Sequence, residues 1–201
     1  MSSSLVRKAN KAPSAQLLLS LGSTIPNAYT FKVARAKELS DHERDSIWAI
    51  FNENMRDLYS RSSFGWNPAS KLAELFDPLS RFILVHEEAG MVAFTMFRFE
   101  YEDGENILYC YDLQISRTCQ RTGLGKALMQ SLEQIGTGWR MGKIVLTVFK
   151  GNRSARDFYS ASGFEVDESS PGYTEDGEDP VEEEEVDYEI LSKPLQVEQL
   201  L

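Results

Sequence analysis

Apolar residues recur along the chain at two spacings, and each spacing predicts a different element. Ile47, Ile50, Phe51, Met55 and Leu58 fall at steps of three and four behind Ser40 and Glu43, the Ser-x-x-Glu of a capping box. They predict an amphipathic helix over residues 41–58. Asn67-Pro68 opens a second helix, over residues 68–76, with proline at its first position, and Asp77-Pro78 ends it. Runs rich in β-branched and aromatic residues predict strands at 29–36, Arg81–Glu87, 91–101 and 105–116. Glu88-Ala89-Gly90 and Asp103-Gly104 supply the turns between them. Leu124, Ala127, Leu128, Ser131, Leu132 and Ile135 return to helical spacing, so residues 123–135 read as a helix stopped by Gly136 and Gly138. Lys143–Phe149 is a short, apolar, buried strand, and Arg153–Ala161 is a helix halted by Gly163. Residues 164–167 and 186–194 are the last strands. The order β-α-α-β-β-β-α-β-α-β-β is that of one mixed α/β domain. It implies a mostly antiparallel central sheet flanked by helices, with one crossover through the Gly123 helix.

A length of 201 residues and a hydrophobic content of 42% suit one domain with tails. Residues 1–28 are polar, and Arg7, Lys8 and Lys11 make them basic. They read as a mostly disordered arm with one helical turn near Leu17, ahead of a domain over residues 29–195 and a tail over 196–201. The apolar patch Leu17–Leu21 is too short and broken for a secretory signal, and no apolar run reaches membrane-span length. Ser2 stands where N-myristoylation needs glycine. Cys110 and Cys119 read as free thiols, and with only His42 and His86 there is no cluster to hold zinc. A formal net charge of −10 argues against direct nucleic-acid binding and suits a basic partner. Thirteen of the thirty-one acids lie within residues 165–189, which hold no Lys or Arg. The run 175–185, within an acidic loop over 173–185, reads first as self-repelling and solvated, and alternatively as steering for basic tails.

Candidate chemistry begins at residues 107–115, ILYCYDLQI, a strand that turns polar and reaches Gln120-Arg121-Thr122-Gly123-Leu124-Gly125-Lys126 ahead of a helix. A helix N-terminus offers unpaired amides and a partial positive charge, and glycine lets the backbone approach a pyrophosphate. A lone Gly-x-Gly is equally an ordinary strand–turn–helix corner. The spacing Gln-x-x-Gly-x-Gly behind a strand is more specific.

With that spacing the segment resembles the acetyl-coenzyme A motif of the GCN5-related N-acetyltransferases. Leu108-Tyr109-Cys110-Tyr111-Asp112, Leu146-Thr147-Val148-Phe149-Lys150 and Tyr188-Glu189-Ile190-Leu191 resemble, within that family, the NatD type of protein N-terminal acetyltransferase that modifies histones. The resemblance spans roughly residues 31–195. It implies acetyl-CoA as co-substrate and no metal. It places the pyrophosphate on the loop Gln120, Arg121, Thr122, Gly123, Leu124, Gly125 and Lys126. The pantetheine arm would lie along the backbone of Leu113, Gln114 and Ile115, and Asn152 would contact the donor. Asn152 equally reads as a helix N-cap. A bulge around residues 112–113 would free a backbone N–H for the oxyanion.

Asp112 matches the family's probable general base, usually Glu; the shorter side chain favours a water-relayed proton transfer. A single acid in a strand also reads as solvent-facing or as a loop cap. Tyr111 matches a substrate-binding tyrosine. Tyr109 shares its strand face unless a bulge intervenes, and it also reads as a core aromatic. Tyr159 reads as packing. Tyr59, Phe64 and Trp66 form an aromatic segment that, by resemblance, closes over a peptide N-terminus; Phe64 replaces a tryptophan and makes a smaller wall. Glu100 and Glu102, two apart on one strand face, match acidic positions that grip a basic peptide, although such a pair is also an ordinary solvated face. Thr147 and Tyr188 complete the inherited substrate set.

The expectation is a monomeric N-terminal α-acetyltransferase acting on histone 4- and histone 2A-type tails in nucleus and cytoplasm, without direct nucleic-acid or membrane binding. The rivals are a lysine side-chain or small-amine acetyltransferase and a non-catalytic acidic histone-binding protein.

Overall fold

The computed structural model describes residues 3–21, 28–173 and 186–196. Local signals set most element ends. Ser40 Oγ accepts from the Glu43 amide and the Glu43 carboxylate accepts from the Ser40 amide, closing the capping box of α3 (Asp41–Ser60). Asn67 Oδ1 accepts from the Ser70 amide at the start of α4 (Pro68–Leu75), whose proline occupies the first turn. The remaining elements are α1 (Ser4–Lys11), α2 (Ser14–Leu18), β1 (Thr30–Arg35), β2 (Arg81–Glu87), β3 (Gly90–Glu102), β4 (Glu105–Ile115), α5 (Leu124–Gly138), β5 (Lys143–Phe149), α6 (Arg153–Ala161), β6 (Glu165–Val166) and β7 (Tyr188–Pro194). The fold class read from the sequence is the one observed.

One seven-stranded sheet runs β1-β2-β3-β4-β5-β7-β6. Every pairing is antiparallel except β4 with β5, the pair that the α5 crossover joins. Each face of the sheet carries its own core. On one, Leu124, Leu128, Leu132 and Ile135 of α5 pack with Phe97, Leu108 and Ile144. On the other, Ile47, Ile50 and Phe51 of α3 and Leu75 of α4 pack with Phe82, Leu84, Phe94 and Met96.

Two expectations need correction. α5 does not stop after Ile135 but runs through Gly136 to Gly138, its last residue, and is capped by Trp139. Gly136 is there for close approach: a Cβ on it would stand 2.4 Å from Leu195 Cδ1, so the helix lies flush against the end of the chain's last strand. The mostly disordered N-terminal arm is instead two short helices over residues 4–18, with Val6, Ala9, Ala12 and Leu17 buried in the first core. Their anchor is Arg81 of β2. It is 2% exposed and donates to the backbone carbonyls of Ala9, Asn10 and Ala12. These carbonyls close the C-terminal end of α1, where a cation is favoured and the chain's own amides run out. The acidic run 175–185 lies outside the described residues.

Candidate active site

β4 and β5 pair only from Ile107↔Lys143 to Cys110↔Leu146, although β4 continues to Ile115 and β5 to Phe149. Beyond Cys110 the two strands diverge. Residues 113–115 keep β3 on one side, through Thr95↔Leu113, Phe94↔Gln114 and Ala93↔Ile115, and have no strand on the other among the described residues. The Ile115 carbonyl accepts from Asn54 Nδ2 and Gln120 Nε2, and the edge ahead of it is open to an extended arm from outside the sheet. The cleft in this fork has a volume of 260 Å³. Its walls include Tyr109, Tyr111, Asp112, Leu113 and Gln114 from β4 and Thr147 and Phe149 from β5; Tyr59, Phe64, Lys71, Asn152 and Tyr159 close it.

A β-bulge aims the side chains. Met96 faces Asp112 and the next residue, Phe97, faces Cys110, so Tyr111 is the extra residue on β4. The shift lets Tyr111 and Asp112 both reach the α3–α4 side, where Tyr111 packs on the second core and Asp112 meets Lys71. Thr95 Oγ1 donates to the Asp112 carbonyl at 2.8 Å and holds the distortion in place. The bulge was inherited from resemblance alone, and it lies beside the predicted residues 112–113.

Around Asp112 the side chains form a connected set. Asp112 is 5% exposed and its Oδ2 lies 3.0 Å from Lys71 Nζ. Gln114 Nε2 donates to Asp112 Oδ1 at 3.1 Å, and Asn54 Nδ2 donates to Gln114 Oε1 at 3.1 Å. Burial pushes the Asp112 carboxyl above the ordinary carboxylate range, and Lys71 offsets part of that rise. Burial pulls the Lys71 ammonium down, but Asp112, Tyr59 and Glu74 outweigh it and keep the lysine charged. Burial lifts the Tyr109 phenol to about 12, against the pull of its 2.6 Å hydrogen bond with Thr147 Oγ1. Tyr111 rises too, from burial and from Glu100, to which its hydroxyl donates at 2.8 Å. Its ring lies 4.6 Å from that of Tyr109, and the Arg98 guanidinium sits 4.3 Å above it.

The structure brings most of the predicted substrate residues together. Tyr59, Phe64, Tyr111 and Thr147 are on the cleft walls. Glu100 reaches the cleft through Tyr111. Glu102 is exposed on the same strand end; its carboxyl is raised by burial and then by Glu100 and Asp103. Tyr188 stands at the rim, its ring 5.2 Å from Phe64. Trp66 is behind the wall, stacked on Trp48 and Phe51 at 5.7 and 6.2 Å. Tyr159 is buried with its phenol pushed well up, and it packs on Phe158 and Phe164 as well as lining the cleft.

At the far end of β4 the loop 120–126 meets α5. Gly123, at φ 92°, is the N-cap and offers no side chain to the first-turn amides. Arg121, at φ 61°, also takes the left-handed conformation, a strain that concentrates at binding loops. Gln120 donates to the Ile115 carbonyl, Thr122 to that of Cys119, and Lys126 lies exposed on the first turn. Leu124 is buried and anchors the helix, and Gly125 lies close to Phe158 of α6. Bare amides on a left-handed glycine, flanked by two cations, fit a pyrophosphate. Asn152 does cap α6, accepting from the Ala155 amide, and it also lines the cleft.

Sequence reasoning missed Lys71, Asn54 and the Ser63–Asp187 contact. Lys71 carried one signal: it sits four residues before Leu75, on the apolar face of a short amphipathic helix.

A family model described as the acetyltransferase (GNAT) family matches residues 45–164. Among solved structures, the ribosomal-protein-S18-alanine N-acetyltransferase of Escherichia coli is similar at TM-score 0.56 and 17% identity, over 85% of this chain and 97% of that one. Ard1 of Thermoplasma volcanium matches at TM-score 0.57 and 16% identity, over 84% and 99%. Arabidopsis thaliana Naa50, solved with the bisubstrate analogue CoA-Ac-MVNAL, matches at TM-score 0.54 and 17% identity, over 82% and 99%. At these identities the likeness is one of fold.

Proposed function

This chain belongs to the GNAT family of acetyl-CoA-dependent acetyltransferases, and from that premise we propose that it is a NatD-type enzyme that acetylates the α-amino group of basic histone tails. One observation carries the reading. Asp112 lies at the open fork of β4 and β5, beside two phenols whose raised pKa values bar them from acting as bases at neutral pH. Of the two acids on the cleft wall, Asp112 and Glu74, Asp112 is the one on β4 at the fork, and we assign it the proton.

The donor supplies an activated thioester carbonyl. Amides at the start of α5, with Arg121 and Lys126, hold its pyrophosphate, and the free edge of residues 113–115 orders its arm. An α-amino group has a pKa near 8, so a modest base suffices. Asp112 takes one proton from the α-ammonium through a water, the neutral nitrogen attacks the carbonyl carbon, and the C–S bond breaks as the amide forms, with the second proton of the nitrogen passing to the departing coenzyme A thiolate. No covalent enzyme intermediate is needed. Tyr111 and Tyr109, protonated, orient the peptide N-terminus by hydrogen bonds, and Tyr59, Phe64 and Tyr188 wall it in. Glu100 and Glu102 supply the charge that selects a basic side chain. A non-catalytic acidic binding protein would leave the fork and the anion cradle without a use.

The test is acetylation of a basic histone-tail peptide with a free N-terminus. Replacing both acids, Glu100→Gln with Glu102→Gln, is expected to raise its KM at least tenfold while leaving acetyl-CoA affinity unchanged. Turnover on small amines alone, or a KM that does not respond to the double replacement, would sink the basic-peptide reading.

A further inference from the structure

We propose that Lys71 is a positioning residue for acetyl transfer: its ammonium keeps the Asp112 side chain ionised and fixed at the fork of β4 and β5. The inference rests on the reading of Asp112 as the base. Lys71 is 7% exposed, a burial rare for lysine without a partner. Its Nζ lies 3.0 Å from Asp112 Oδ2 and 2.5 Å from Glu74 Oε1. It also stands 4.8 Å from the centre of the Phe51 ring and 5.4 Å from that of Tyr59. Two acids and two rings thus fix one ammonium. Through it α4 grips one oxygen of Asp112, while Asn54 of α3, acting through Gln114, grips the other. Oδ1 accepts a hydrogen bond from Gln114, whereas Oδ2 has the Lys71 ion pair and no hydrogen bond of good geometry, so it keeps lone-pair capacity where the group lines the cleft.

Physical chemistry gives this lysine a task. A carboxyl group taken out of water without a countercharge binds a proton, and a carboxylic acid cannot act as a base. The titratable groups facing Asp112 are Tyr59 from α3, Lys71 and Glu74 from α4, Cys110 from its own strand and Tyr159 from α6. Lys71 is the one cation among those named. A buried ion pair adds little net stability over a well-packed apolar pair, so its presence in the cleft wall is better explained by chemistry than by folding.

The test is the pH dependence of kcat/KM for the full chain, with thermal unfolding and acetyl-CoA affinity as controls. Lys71→Met is expected to move the acidic limb up by at least one pH unit. Activity at pH 7 then falls at least tenfold and recovers as pH rises. Lys71→Arg keeps the limb near its original place. In an Asp112→Asn background Lys71→Met adds less than twofold. An unmoved limb, an equal loss at every pH, or the same loss with Asn at 112 would overturn the proposal. If Lys71→Met does not fold, Lys71→Gln, which keeps a donor, carries the pH readout in its place. Full activity of Asp112→Asn alone would instead remove Asp112 as the base, a different failure from an unmoved limb.

Discussion

At the scale of single residues, chemistry is divided by how each group is solvated. Asp112 is buried yet paired, and Tyr109 and Tyr111 are half-buried and locked in hydrogen bonds to Thr147 and Glu100. On the proposed mechanism, Asp112→Asn lowers kcat by about 10²–10⁴ and leaves the peptide KM within a few-fold, as steady-state kinetics would show. Glu102 carries a second prediction. Its carboxyl is raised by burial and by its acidic neighbours, so it gains its proton at a higher pH than an ordinary glutamate. The KM for a basic peptide should therefore begin to climb, as pH falls, above the usual carboxylate range, and Glu102→Gln should flatten that climb. Asp112 was visible in the sequence because an acid is out of place in a central strand. Lys71 was not, because a lysine on a short helix reads as solvated, and only packing against α3 and β4 shows otherwise.

At the scale of elements, the site depends on an interrupted pairing. β4 and β5 hold together for four residue pairs and then part, and the bulge at Tyr111 aims two neighbouring side chains at one face. The strands themselves were legible from alternation and turn residues. The point where they separate was not, because pairing length and bulges are set by cross-strand packing rather than by either strand's own residues. The same limit applied to Gly136, whose role as a contact surface depends on Leu195, far away in sequence. A further element-scale device closes the mouth. The Asp187 carboxylate accepts from the Ser63 amide and the Ser63 hydroxyl, both at 2.7 Å, tying the loop after α3 to the start of β7. This sets Phe64 against Phe149 and Tyr188, at 5.6 and 5.2 Å. Asp187→Ala is expected to raise the peptide KM about three- to tenfold, from a loss of one to two exposed hydrogen bonds, with kcat and acetyl-CoA affinity unchanged. A change in acetyl-CoA affinity instead would mean that the contact serves another part of the molecule.

At the scale of the whole molecule, the N-terminal segment belongs to the domain. Composition suggested an arm, since Ser, Ala and Lys dominate it, but Val6, Ala9, Ala12 and Leu17 reach the core while Leu18 and Leu19 stay exposed. Removing residues 1–20 is expected to cost about 3–6 kcal/mol in denaturant unfolding, the usual return for burying Val6 and Leu17. Arg81→Ala should cost less in the truncated chain than in the full one, because its three carbonyl partners are then gone. Acid stability follows from carboxylates held low. Burial works against ionisation of Glu38, but Arg35 and Ser14 outweigh it and hold it at about 2, against an ordinary 4.5. Burial likewise opposes Asp167, and Lys143, Ser169 and Ser192 overcome it. For a depressed acid the stabilisation is full above the ordinary pKa and is lost as pH falls through the folded value. The unfolding midpoint should therefore stay level from pH 7 to 5 and fall below about 4.5, less steeply for Asp167→Asn. The account as a whole turns on which nitrogen receives the acetyl group, and the direct measurement is fragmentation mass spectrometry of histone-tail peptides after incubation with acetyl-CoA. It predicts label on the α-nitrogen of the free peptide and none on a copy whose N-terminus is already blocked; label on lysine side chains of both peptides alike would contradict it.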